Sequence, residues 1–129
     1  MEKSALLMLM GLLLGMTVMA QEISGGFTNA FKKGNAEELA AFWGNEVEIV
    51  ISNSSKTCDK PGARQLMTDF FSANKVAGFV VNHQGQRDQS GFMVGTLTTN
   101  TGVFRVNGYF KKSGDQYLIY QIRIDKTNE

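Results

Sequence analysis

Acid–base chemistry in this chain would have to start from His83, the single histidine of 129 residues. It closes the alternation Phe79, Val81, His83, which puts its imidazole on the same side of a strand as two apolar residues. An isomerase-like or dehydratase-like reaction would need such a base facing an acid or an oxyanion donor. The carboxylates nearest a candidate site are Asp59, just before a helix, and Asp69, beside Phe70 within it. Each has a simpler role: Asp59 complements the positive end of the helix, and Asp69 faces water. His83 likewise reads as a strand-end residue that supports the turn at Gly85. One histidine with no partner is not a catalytic constellation, so no catalytic residue is assigned.

Other chemistries lack parts. One cysteine, Cys58, and one histidine provide no ligand spacing of the kind zinc uses, so neither a metal nor any other cofactor is expected. There is no phosphate-binding glycine loop and no nucleophile elbow. Lone Cys58 excludes an internal disulfide and reads most simply as a small buried hydrophobe. Trp43, Tyr109 and Tyr117 are packing groups, because no basic stripe accompanies them as stacking on nucleic acid would require. Thirteen basic against twelve acidic residues give no electrostatic case for nucleic acid or an anionic membrane.

The elements that must position these residues centre on Val76 to Asp125, which reads as a four-stranded antiparallel meander. Phe104, Val106, Gly108 and Phe110 alternate with polar residues, and Leu118, Tyr120, Ile122 and Ile124 repeat the period. A three-residue loop, Lys112-Ser113-Gly114, keeps these two apolar sets on one face and sets Val106 opposite Tyr120. Shifting the register by two would place Arg105 opposite Arg123, which is unfavourable. A similar loop, Asn100-Thr101-Gly102, puts Phe92, Val94, Thr96 and Thr98 on the same inner face. A two-residue loop would bring Met93, Gly95 and Leu97 there instead. The first strand of the meander runs from Val76 to His83, with Gln84 to Ser90 as its exit loop. Gly95 and Gly108 mark bulges or the close approach of a large neighbour.

Three helices and a short strand precede the meander. Ile23 to Lys33 carries a stripe of Phe27, Ala30 and Phe31, with Gly34 to end it. Asn35 and Glu38 have capping-box spacing for a second helix, whose face is Leu39, Phe42 and Trp43. Glu46 to Ile51 alternates as a strand. A third helix opens at Pro61 and lines up Ala63, Leu66, Met67, Phe70 and Phe71. Helices followed by an antiparallel sheet make an α+β domain with one covered face.

Residues 1–20 read as a signal peptide: Lys3, an apolar run from Ala5, then Val18 and Ala20 at the −3 and −1 positions of a cleavage site. The alternative is an uncleaved anchor, but the run is short of the roughly 20 residues a membrane span needs. Residues 21–129 then form a single exported domain, periplasmic or secreted, which would bury roughly 65% of its unfolded surface without staples.

Several stretches carry a family resemblance: Gly34-Asn35-Ala36 with Leu39, Ala40 and Phe42; Phe70-Phe71 with Asn74; His83-Gln84-Gly85; and Tyr109-Phe110-Lys111-Lys112 leading to Tyr117-Leu118-Ile119. On these the chain resembles the nuclear transport factor 2-like (cystatin-like) superfamily, and within it the small exported domains of unknown function of Bacteroidetes-type bacteria. The resemblance implies a curved, mostly antiparallel sheet wrapping three helices into a cone whose open end often holds a ligand. It implies no activity, because the superfamily includes isomerases, dehydratases and plain binding modules. Residues expected to line the cone are Trp43, Phe70, Phe79, Val81, His83, Phe104, Val106 and Tyr120. They suit a small apolar ligand or simple closure, so the expected function is non-catalytic binding of such a ligand or of a protein partner. The alternative is a small cofactor-free enzyme using His83 with a carboxylate. Tyr109, Tyr117 and Ile119, with Leu97 or Val94, are expected to form an outer strip through which a homodimer would assemble.

Overall fold

Apolar stripes on the helices and alternation in the strands produce the two layers seen in a computed structural model, which describes residues 22–127. The signal peptide and cleavage site expected from the sequence lie outside the described residues. Helix α1, Glu22–Lys33, buries Phe27, Ala30 and Phe31 completely. It closes at Gly34, whose φ of 61° is the left-handed conformation glycine favours. The Asn35 amide then donates to the Ala30 carbonyl at 2.9 Å.

Helix α2, Ala36–Leu39, is a single turn capped as its sequence predicts. The Glu38 amide donates to Asn35 Oδ1 at 3.1 Å, and Asn35 Nδ2 donates to Glu38 Oε2 at 2.9 Å. A 3₁₀ turn, Ala40–Phe42, follows, and Trp43 then adopts extended dihedrals. Trp43 therefore opens strand β1, Trp43–Ile51, instead of closing the helix. Strand β2, Ser54–Cys58, is an edge strand of exposed polar residues with no alternation, so nothing in its sequence marks it. Helix α3, Lys60–Ala73, starts at Asp59, whose Oδ1 accepts from the Gly62 amide at 2.9 Å. It buries Ala63, Met67, Phe70 and Phe71.

The meander comprises β3, Val76–Arg87, β4, Ser90–Thr99, β5, Gly102–Ser113, and β6, Gln116–Lys126. All six strands form one sheet in the order β2-β1-β6-β5-β4-β3. Only β1 and β6 run parallel; every other pair is antiparallel. The domain is thus the expected α+β arrangement of three helices and a mostly antiparallel sheet, with one strand more than the sequence revealed.

Loop lengths and registers differ from expectation at three places. The turn between β4 and β5 has two residues, Asn100 and Thr101, with Thr99 paired to Gly102. Met93, Gly95 and Leu97 therefore point inward, and Phe92 points outward. Contacts distant in sequence fix this turn. The Asn100 amide donates to the Lys75 carbonyl at 3.0 Å, the Lys75 amide donates to Asn100 Oδ1 at 2.9 Å, and Thr101 Oγ1 donates to Asn74 Oδ1 at 2.5 Å.

The β5–β6 turn is also two residues long, Gly114 and Asp115, and Val106 stands opposite Ile124 instead of Tyr120. Arg105 then faces Asp125, a favourable pair that the two registers weighed from sequence could not offer. A two-residue turn alone would put β6 out of phase with β5. A bulge at Tyr120, skipped between Phe110–Ile119 and Tyr109–Gln121, restores the match.

On β3 the expected exit loop is mostly strand. The pairing continues to Arg87–Ser90, with Asp88 and Gln89 as the turn, and a bulge at Asn82 separates Val81–Gly95 from His83–Val94.

Candidate functional site

The residues expected to line a cone divide between the two faces of the sheet. Trp43, Phe70, Phe79, Phe104 and Val106 are buried under the helices, and Val81 is half-buried against the same core. Rings fill the space between the layers. Phe31 stacks on Phe79 with centroids 5.0 Å apart, Phe27 meets Phe110 edge-on at 5.3 Å, and Phe70 meets Phe104 at 5.4 Å. Gly95 is small because the Phe79 ring occupies the place of its side chain: a Cβ there would sit 2.5 Å from the ring. The Trp43 indole is 1% exposed, and its Nε1 has no hydrogen-bond partner among the described residues.

His83 and Tyr120 are on the other face, which corrects their expected place inside the cone. Each belongs to a bulge: His83 follows the extra residue Asn82, and Tyr120 is itself the extra residue. A bulge shifts the inward–outward alternation by one position, so a strict period of two carries both side chains to the wrong side. Asn82 is held by Thr96, whose Oγ1 donates to Asn82 Oδ1 at 2.6 Å.

The acid–base pairing considered from sequence does not assemble. His83 is exposed, and its described contact is with the Phe92 ring, 6.2 Å between centroids. Asp59 caps α3, and Asp69 is exposed and accepts from Gln65 Nε2 at 3.0 Å. Both belong to the helix packed against the inner face, so the sheet separates them from His83. Cys58 is half-buried at the end of β2. No group of three metal-ligating side chains occurs among the described residues.

The outer face carries the large apolar side chains left in water. Val80 is 61% exposed, Phe92 39% and Tyr120 37%. Phe92 stands opposite Gly85 and Tyr109 on its neighbouring strands. Its ring lies over Gly85, where a Cβ would come within 2.6 Å of it. The Tyr109 and Tyr120 rings are 6.4 Å apart, and Lys111 Nζ sits 4.4 Å from the Tyr120 centroid. Of the strip expected here, Tyr109 and Val94 are on this face. Ile119 and Leu97 are fully buried, and Tyr117 packs against the core. Sequence reasoning assigned Phe92 to the interior; the signal that would have placed it outside is the pairing of a bare Gly85 with a large ring.

Two surface hollows stand out. One, of about 350 Å³, runs between α2 and α3 along Gly34, Asn35 and Phe71. Polar groups around it are already joined in pairs, Lys33 and Asn35 with Glu38, and Arg64 with Glu37. The other, of about 410 Å³, lies at the tips of the β3–β4 and β5–β6 hairpins, lined by Arg87, Asp88, Gln89, Ser90, Lys111 and Lys112.

The family model described as a domain of unknown function, DUF4783, matches residues 25–125. A DUF4783 family protein from Bacteroides ovatus is 52% identical, with a TM-score of 0.81 over 84% of this chain and 99% of that one. A candidate dehydratase of the nuclear transport factor 2-like family from Streptomyces avermitilis shares the fold at 11% identity, with a TM-score of 0.66 over 86% and 95% of the two chains. A domain of unknown function with a cystatin-like fold from Nostoc punctiforme is 10% identical, with a TM-score of 0.66 over 85% and 76%. No curated protein matches the chain.

Proposed function

The chain belongs to the DUF4783 family, a domain of unknown function with a nuclear transport factor 2-like fold; within it, we propose that this protein is an exported, non-catalytic binding module that meets its ligand or partner on the outer face of the sheet. The observation that carries this reading is the division of aromatic side chains between the two faces. Inside the cone they pack against one another, whereas Phe92 and Tyr120 keep more than a third of their surface in water on the outside. Solvated apolar groups gain free energy when a ligand covers them, and buried ones have none left to gain. The enzymatic alternative loses support because His83 stands apart from both carboxylates that it would need.

Native mass spectrometry of the protein purified from its exporting host tests the reading. A bound species is expected in the wild type and lost in a Phe92→Ser/Tyr120→Ser variant that keeps its fold. Retention of that species by the variant contradicts outer-face binding. Turnover of a carbonyl substrate that disappears in His83→Ala, with folding intact, contradicts the non-catalytic assignment.

A second reading, a homodimer through the same face, is supported by the exposure of Val80 farther along that face. Sedimentation at micromolar concentration distinguishes the two, because only self-association gives a concentration-dependent mass.

A further inference from the structure

The hollow at the hairpin tips gathers more positive than negative charge. Arg87, Lys111 and Lys112 line it against one carboxylate, Asp88. The ion pairs among the described residues are Lys33–Glu38, Arg64–Glu37 and Arg123–Asp125, and none uses a cation of this cleft. Asp88, in the tight turn with φ at 52°, forms no ion pair with these cations and offsets one of the three charges.

Ladder geometry holds the cleft open. Ser90 pairs with both Arg87 and Lys111, so these three residues lie in one row across β3, β4 and β5. The Lys112 amide donates to the Gln89 carbonyl at 2.7 Å, and the Tyr117 hydroxyl to the Asp88 carbonyl at 3.4 Å, which ties one hairpin tip to the other. The frame sets where the three cations start from the backbone, so an anion meets them already gathered at one corner of the sheet.

The adjacent row of the same face carries aromatic side chains. Two residues along each strand from Ser90 and Lys111 stand Phe92 and Tyr109, paired with each other. Lys111 links the rows, since its ammonium lies against the Tyr120 ring. We infer that this corner binds a small amphipathic acid, its oxyanion (carboxylate, sulfate or phosphate) between Arg87 and Lys111 and its apolar body on the Tyr120 ring beside Lys111. The inference rests on the outer-face reading and adds the ligand class to it.

Titration of ¹⁵N-labelled protein with phenyl phosphate, inorganic phosphate and benzyl alcohol tests it by NMR. Phenyl phosphate is expected to bind saturably, moving the Ser90 and Lys111 amides together with the ring signals of Tyr120. Inorganic phosphate should move the amides alone and bind more weakly. Benzyl alcohol should not saturate. Arg87→Gln/Lys111→Gln should weaken phenyl phosphate about tenfold, the loss expected for a charge-assisted contact in water, and added salt should weaken the wild type in the same direction. Arg87→Lys should retain binding within a few-fold, which separates lost charge from lost structure. Absence of saturable phenyl phosphate binding overturns the inference, as does binding that ignores the double substitution. Saturable binding at Phe92 and Tyr120 that is equally strong for benzyl alcohol removes the acid and leaves the outer-face reading standing. Binding that moves the Trp43 indole instead removes both.

Discussion

Phe110 stands opposite Ile119, and the next pair along the ladder, Tyr109 with Gln121, skips Tyr120. This one-residue bulge carries the Tyr120 ring out of the core while Ile119, Ile122 and Ile124 stay in it. Tyr120→Ser removes only a partly covered ring with its contacts to Tyr109 and Lys111, so it is expected to cost about 1–2 kcal/mol, less than the loss of a buried aromatic. A urea titration checks it; a loss of several kcal/mol would mean that the ring packs inside the cone.

Phe70 tests the opposite face. It is 7% exposed and meets the rings of both Phe71 and Phe104. Phe70→Ala should cost about 3–5 kcal/mol, the loss of a buried ring plus the cavity it leaves. A loss below about 1 kcal/mol would mean that α3 presents another face to the sheet.

Gly95→Ala should destabilise by about 1–3 kcal/mol, because the added methyl collides with the Phe79 ring and with the Val80 carbonyl 2.9 Å away. Phe79→Leu in the same chain should recover part of that loss, since the ring is the closer obstacle. A double-mutant cycle measures the coupling, and strict additivity would show that the two positions do not compete for space.

Asp59→Ala removes the acceptor for the Gly62 amide at the start of α3. The expected cost is about 1 kcal/mol, the usual value of an N-cap. Asp59→Asn should restore most of it, and equal losses for both substitutions would point to a role for the charge rather than the cap.

Much of the architecture is legible in the sequence because short-range patterns specify it. Phe27, Ala30 and Phe31 fix the buried face of α1, Asn35 and Glu38 fix the start of α2, and Phe104 to Phe110 fix the inner side of β5. The misplacements share one cause. Alternation fixes a face only as long as no extra residue intervenes, and the bulges at Asn82 and Tyr120 are set by cross-strand contacts such as Thr96 with Asn82. The Asn100–Thr101 turn depends likewise on Asn74 and Lys75, about 25 residues earlier in the chain. Strand β2 has no alternating apolar residues to reveal it; it exists because β1 offers an open edge. The cleft at the hairpin tips needed both corrected registers, since only these bring Arg87, Ser90 and Lys111 into one row.

Trp43 provides the most direct measurement, because it is the chain's single tryptophan and lies inside the cone at 1% exposure. Its fluorescence should resist acrylamide quenching and stay unchanged in intensity and wavelength when phenyl phosphate saturates the protein. A shift of Trp43 emission on saturation, with the Tyr120 ring signals unmoved, would place the ligand within the cone and contradict recognition on the outer face.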